Sequence, residues 1–133
     1  MNKCFLSLGS NIKSRIKFIE FGISSLNGIK EIKIDKISPV YESPPMYHTD
    51  QDYFLNMVLS INTSLHPLKL LKIIKIIEFQ SGRVISKPNY PRTLDIDILS
   101  YQNIRIKIKE ITIPHPKLND RKFVLQPWSD IES

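Results

Sequence analysis

The two residues with the clearest chemical potential are Asp95 and Asp97, in the run Arg92, Thr93, Leu94, Asp95, Ile96, Asp97, Ile98. In a strand, side chains two apart share a face. The carboxylates would then lie about 6–7 Å apart along the strand, with Leu94, Ile96 and Ile98 on the other face. Magnesium sites take one or two protein carboxylates and fill the remaining positions with water and phosphate oxygens, so such a pair suffices where a nucleotide supplies the rest. The pair alone leaves a second reading open, acidic decoration of a solvent-facing strand. Against it, aspartate is disfavoured in strands, and the apolar face accounts for the strand without accounting for the acids.

Arginine usage points the same way. Lysine and arginine total 19 against 13 acidic residues, a formal net charge of +6, and only Arg15, Arg83, Arg92, Arg105 and Arg121 are arginines. A guanidinium grips phosphate oxygens bidentately and an ammonium does not, so arginines in a lysine-biased chain are phosphate-site candidates. Scattered surface arginines are the competing reading. His115, between Pro114 and Pro116, stands in a rigid turn from which it could donate to a phosphate, although a lone histidine is also compatible with an ordinary core or surface role. Phe54, Asn56 and Phe123 could form an aromatic slot with an amide that reads a heterocycle, or the phenylalanines could be core. The Walker A pattern, the Gly-rich dinucleotide fingerprint and the protein-kinase motif set are all absent, so phosphoryl chemistry would need another scaffold.

These residues need elements to hold them. The 133 residues, 41% hydrophobic and 24% charged, suit one soluble domain spanning 1–133. Cys4 is the only cysteine, which excludes an internal disulfide and a Cys-based zinc site and favours the cytoplasm. Nothing at the start reads as a secretory signal, and no apolar run nears the roughly 20 residues that span a bilayer.

Residues 3–8 read as a first strand closed by Gly9, Ser10 and Asn11. Asn11 is the expected N-cap of a helix with Ile12, Ile16, Ile19, Ile23 and Leu26 on its buried face, stopped by Asn27 and Gly28. Residues 29–41 alternate as a second strand, and residues 54–62 form a β-branched, apolar third. Pro67 opens a second helix over residues 68–79, expected to be largely buried and to stop at Gly82. Residues 94–101 make the fourth strand, and Ile104, Ile106 and Ile108 alternate with basic residues as an extra β-hairpin arm leading to Ile113. The loops over residues 44–52 and 81–93 carry proline and glycine punctuation, and the second is long enough to be functional. The order βαββαβ is the ferredoxin-like, α+β arrangement, an antiparallel sheet with helices packed on one face.

In order and spacing, the sequence resembles the 6-hydroxymethyl-7,8-dihydropterin pyrophosphokinase family of folate biosynthesis. The residues that carry the resemblance run from Leu8, Gly9, Ser10 and Asn11, through Tyr41 to Pro45, Phe54 to Asn56, Glu78, Gly82 and Arg83. They continue with Pro91 to Asp97, Thr112 to His115, Arg121 and Phe123. The resemblance implies a monomeric cytoplasmic enzyme that transfers diphosphate from ATP to the hydroxymethyl oxygen of the pterin and releases AMP, with neither nucleic acid nor membrane as partner. It implies that Asp95 and Asp97 hold two Mg²⁺ ions and that Arg83 and Arg92 join them in catalysis. Ser43, Pro44, Met46, Phe54, Asn56 and Phe123 would contact the pterin. Leu71, Glu78, Arg83, Arg92, Ile98, Thr112, His115 and Arg121 would contact ATP.

Three positions depart from the family pattern. Tyr90 stands where glycine or alanine is usual, Ile85 replaces a basic residue and Lys75 replaces a glutamine. The basic charge would also permit an RNA-binding ferredoxin-like module, but no strand carries the aromatic motif by which such modules stack bases.

Overall fold

In the computed structural model, which describes residues 1–11, 14–44, 53–82, 93–116 and 122–132 with backbone alone at 122–124, alternation along each strand sorts the sheet into two different faces. The elements are β1 (Asn2–Ser10), α1 (Arg15–Asn27), β2 (Ile32–Ile37), β3 (Tyr41–Ser43), β4 (Phe54–Thr63), α2 (Pro67–Gln80), β5 (Asp95–Tyr101), β6 (Ile106–Lys107), β7 (Thr112–Ile113) and α3 (Lys122–Ile131). The sheet order is β2-β4-β1-β5, with β3 added alongside β4, and every pair is antiparallel. Each helical crossover skips one strand. α1 carries β1 to β2 across β4, and α2 carries β4 to β5 across β1, which is the ferredoxin-like topology.

Leu6 and Leu8 of β1, Met57, Leu59 and Ile61 of β4, and Ile96 and Ile98 of β5 form the main core with Ile19 and Leu26 of α1 and Leu70, Ile74 and Ile77 of α2. A second, smaller core of Val58, Leu99 and Ile131, with Phe5 and Trp128 packed on it, lies on the opposite face. A bulge opposite Phe5 and Leu6 gives β5 one extra residue, so Leu99 and Tyr101 are buried in different cores although they lie two apart. β6 and β7 pair over two residues, Ile106 with Ile113 and Lys107 with Thr112.

The structure corrects several local expectations. α1 starts at Arg15 rather than after an Asn11 cap. Ser14, at φ 72°, precedes it and makes no side-chain cap. Ile16 is 45% exposed, because the buried stripe runs through Ile19, Gly22 and Leu26. Gly22 sets that stripe, since a β-carbon there would meet Leu8 Cδ2 at 3.0 Å and Leu94 Cδ2 at 3.1 Å. The alternating run over residues 29–41 splits into β2 and β3. At the break Ser38 bonds Val58 twice, its N–H donating to Val58 O and its hydroxyl accepting from Val58 N, both at 2.9 Å. α2 is buried along one face only, with Ile76 56% and Phe79 77% exposed. The helices do not share one face, because α3 packs on the other.

Candidate active site

Strand register brings the chemistry together. Gly9 pairs with Asn56 on one side and with Asp95 on the other, and Asn56 pairs in turn with Tyr41. Cross-strand partners share a face, so Asn56 and Asp95 stand on the same side of the sheet with one strand between them, about 10 Å apart at the backbone. Gly9 leaves the floor between them bare. A β-carbon there would lie 3.2 Å from Asn56 Oδ1 and 3.9 Å from Phe54 Cδ1. One step along, Ser7 pairs with Asp97. By alternation this is also the face of Phe5, Val58 and Leu99, whose half is roofed by α3. The polar half, from Ser43 and Asn56 to Asp95 and Asp97, is the candidate site.

Asn56 is fixed before any ligand arrives. It is buried, and its Nδ2 donates to the buried Ser43 Oγ at 2.8 Å, which leaves the carboxamide oxygen turned over Gly9. Phe54 lies half-buried on the same face, and Pro44 follows β3 directly and is exposed. Met46 lies outside the described residues. Phe123 falls in the first turn of α3, and its side chain also lies outside them.

The carboxylates stand half-buried where β5 was expected to place them, with Ile96 and Ile98 buried on the other face. His115 reaches the same place from the chain beyond β7. Its N–H donates to Leu99 O at 2.9 Å, which sets the imidazole Nε2 3.9 Å from Asp97 Oδ1. Beside them opens a cleft of about 270 Å³ lined by Leu71, Lys75, Asp97, Ile98, Thr112 and His115 among others. Four of the residues expected to contact ATP, Leu71, Ile98, Thr112 and His115, therefore line one cleft together with Asp97. Arg83, Arg92 and Arg121, together with the departures Ile85 and Tyr90, fall outside the described residues. Glu78 is only 3% exposed, and its Oε2 accepts from Ile96 N at 2.8 Å.

Several contributors went unread in the sequence. Arg15 Nη1 binds Glu42 Oε2 at 3.2 Å and donates to Tyr53 O, tying α1 to both ends of the segment that joins β3 to β4. Ser81 Oγ donates to Glu78 O at 2.6 Å and lies 2.8 Å from Thr93 Oγ1, which joins the ends of the α2 to β5 connection. Tyr41 OH donates to Asp130 Oδ2, pinning α3 to β3, and that bond holds the phenol above its ordinary pKa. The contacts of Arg15 and Tyr41 join residues far apart in sequence and leave no local signal. Among the described residues no group of three His, Cys, Asp or Glu side chains is placed to hold a metal ion.

The fold and the site together define a ferredoxin-like domain whose open sheet face sets an amide and an aromatic ring beside a carboxylate pair. The profile of the 7,8-dihydro-6-hydroxymethylpterin-pyrophosphokinase (HPPK) family matches residues 5–133, and the chain belongs to that family. It is 42% identical over 132 residues to the 2-amino-4-hydroxy-6-hydroxymethyldihydropteridine pyrophosphokinase of Aquifex aeolicus, covering 99% of this chain and 81% of that one. It is 46% identical over 127 residues to the folic acid synthesis protein fol1 of Pneumocystis carinii, covering 96% of this chain but only 17% of that much longer protein. The crystal structure of wild-type Plasmodium falciparum HPPK-DHPS with pteroate shares the fold, with a TM-score of 0.77 at 18% identity, covering 97% of this chain and 38% of that one.

Proposed function

We propose that this chain transfers the β,γ-diphosphate of ATP to the hydroxymethyl oxygen of 6-hydroxymethyl-7,8-dihydropterin, releasing AMP, as a step of folate synthesis. The observation that carries the reading is the row Asn56, Gly9, Asp95, which sets a heterocycle-reading amide one bare strand away from a carboxylate pair. In this reading the pterin edge meets the Asn56 carboxamide, which Ser43 holds in place, while Phe54 offers its ring. The nucleotide enters the cleft of Leu71, Ile98, Thr112 and His115, and its phosphates reach Asp97. The hydroxymethyl oxygen attacks the β-phosphorus, the bond from that phosphorus to the α,β-bridging oxygen breaks, AMP leaves with the bridging oxygen, and the hydroxyl proton passes to solvent.

Asp95 and Asp97 fit a hard cation. They are half-buried oxygen donors sharing one face, and they are too few to complete a shell without phosphate and water. They would hold two Mg²⁺, which when bound supply charge neutralisation at the phosphates. Catalysis by the chain is then mostly positioning, with Arg83, Arg92 and Arg121 as phosphate partners and Met46, Pro44 and Phe123 at the pterin. The working form is a monomer in the cytoplasm that takes only these small-molecule partners.

The test is AMP release from ATP and Mg²⁺ with and without the pterin, with EDTA as control. Pterin-dependent, EDTA-sensitive AMP is the expected result. ADP as the product would mean transfer of a single phosphoryl group, and pterin binding without any nucleotide product would mean a fold that binds but does not turn over. Either outcome overturns the proposal.

A further inference from the structure

β5 is an edge strand. Among the described residues its ladder partner is β1 alone, so the N–H and C=O groups on its outer side need acceptors and donors from elsewhere. Its alignment matters more than that of most edges, because Asp95 and Asp97 project from it. The residue between them, Ile96, turns its N–H outward to Glu78 Oε2 at 2.8 Å. Glu78 reaches there from the last turns of α2, and its other oxygen, Oε1, lies 3.5 Å from Lys75 Nζ.

A carboxylate that is 3% exposed must be compensated where it sits, and here both oxygens engage atoms of the chain. Lys75 lines the nucleotide cleft and is itself 64% exposed, while Glu78 faces the strand. This geometry differs from that expected of a nucleotide contact. A charge-assisted bond from a helix to the one peptide between two aspartates is a device for fixing their spacing.

We infer that Glu78 is a positioning residue. It anchors the Ile96 peptide to α2 and so holds the Asp95 and Asp97 carboxylates at the separation that a phosphate-bound divalent cation requires. The inference rests on the metal reading proposed above. It departs from the direct ATP contact that the sequence resemblance implies for Glu78.

Two substitutions separate the readings. Glu78→Gln keeps an oxygen that can accept from Ile96 N and loses the charge, whereas Glu78→Leu removes the acceptor. The probe is Mn²⁺ bound with a non-hydrolysable ATP analogue, titrated by electron paramagnetic resonance, alongside hydrogen exchange of the Ile96 amide. The expected result is Mn²⁺ affinity roughly tenfold to a hundredfold weaker in Glu78→Leu, within a few-fold of the parent in Glu78→Gln, and Ile96 protection lost only in the former. ATP-analogue affinity without metal should change in neither.

Equal loss of metal affinity in both variants would overturn the inference, since the charge and not the peptide bond would then matter. So would a folded Glu78→Leu protein with unchanged Mn²⁺ affinity. If Glu78→Leu does not fold, Glu78→Met, which also removes the oxygen acceptor, takes its place, and unchanged Mn²⁺ affinity there overturns the inference. Asp97→Ala, titrated in parallel, tells the two levels apart. Unchanged Mn²⁺ affinity in Asp97→Ala would remove the metal reading and this inference with it, while loss in Asp97→Ala without loss in Glu78→Leu removes the inference alone.

Discussion

Replacing Gly9 with alanine puts one methyl group on the floor between Asn56 and Asp95. The new β-carbon would lie 3.2 Å from Asn56 Oδ1, 3.6 Å from Leu55 O and 3.9 Å from Phe54 Cδ1, so its crowding falls on the Asn56 side. Relieving the shortest contact requires the carboxamide to move by a few tenths of an ångström, at a cost of about 1–3 kcal/mol. Alanine also reduces the freedom of the unfolded chain, which returns about 0.4–1 kcal/mol. The net destabilisation is therefore below about 3 kcal/mol and the domain stays folded.

Binding suffers differently. In the proposed pose a displaced carboxamide would lose about 1 kcal/mol of hydrogen bonding to the heterocycle, and a methyl beneath the ring would add about 1–2 kcal/mol. Together these give about 2–3 kcal/mol, or roughly thirty- to a hundred-and-fifty-fold weaker pterin binding. Fluorescence titration with the pterin, run beside ATP-analogue and Mn²⁺ titrations, checks this. Pterin affinity should fall while the nucleotide and metal constants stay within about threefold, a tolerance well under 1.4 kcal/mol. Unchanged pterin affinity in a folded Gly9→Ala protein would refute the shared-floor geometry, and an equal loss of metal affinity would show that the crowding is not confined to Asn56.

Asp97→Ala should abolish AMP release in the coupled assay yet change unfolding free energy by only about 1 kcal/mol in urea titration, because the side chain is part-exposed. Tyr41→Phe, which deletes the hydroxyl bound to Asp130, should accelerate hydrogen exchange in α3 while leaving the strands of the main core protected. Cys4, whose thiol burial pushes up to about 12, should resist alkylation in the native protein at pH 8 and react once unfolded. The same shift sets a pH dependence. Below pH 9 both states hold the proton and the group contributes nothing to the slope. Between the unperturbed thiol value of 9.0 and about 12 only the folded state keeps it, so stability falls by about 1.4 kcal/mol per pH unit. Cys4→Ala should remove that part of the alkaline slope, as measured by denaturant unfolding of both proteins from pH 8 to 11.

What could be read in the sequence was what acts locally. The apolar runs of β1 and β4, the proline that opens α2 and the alternation around Asp95 and Asp97 report on nearest neighbours, and the structure places them as expected. Ile16 was misassigned because helical spacing alone does not say which of two overlapping stripes faces the sheet. The close approach of Gly22 to Leu8 and Leu94 decides that, and it depends on a partner. The β2 to β3 break was invisible because Ser38 uses its hydroxyl to take a bond that a strand would leave to the backbone. α3 was missed altogether. Pro127 within it argues against a helix, and the second face it covers could not be inferred from a pattern that assigned both crossover helices to the first. At the site, the carboxylates were legible and their supports were not. The bonds from Arg15 to Glu42 and from Tyr41 to Asp130 span 27 and 89 residues of chain.

Among the described residues the second core holds three buried side chains, Val58, Leu99 and Ile131, with Phe5 and Trp128 packed against them, whereas the first holds most of the buried apolar side chains. A roof that rests on this smaller apolar cluster opens at a lower free energy than the hydrogen-bonded sheet beneath it. The domain therefore has two melting problems. Warming or mild denaturant should release α3 first and uncover the half of the sheet face around Phe5, Val58 and Leu99, with Ser43 and Asn56 still on an intact sheet. Order in α3 would then fade before that of the strands, and it would return on cooling without the chain having to find its topology again.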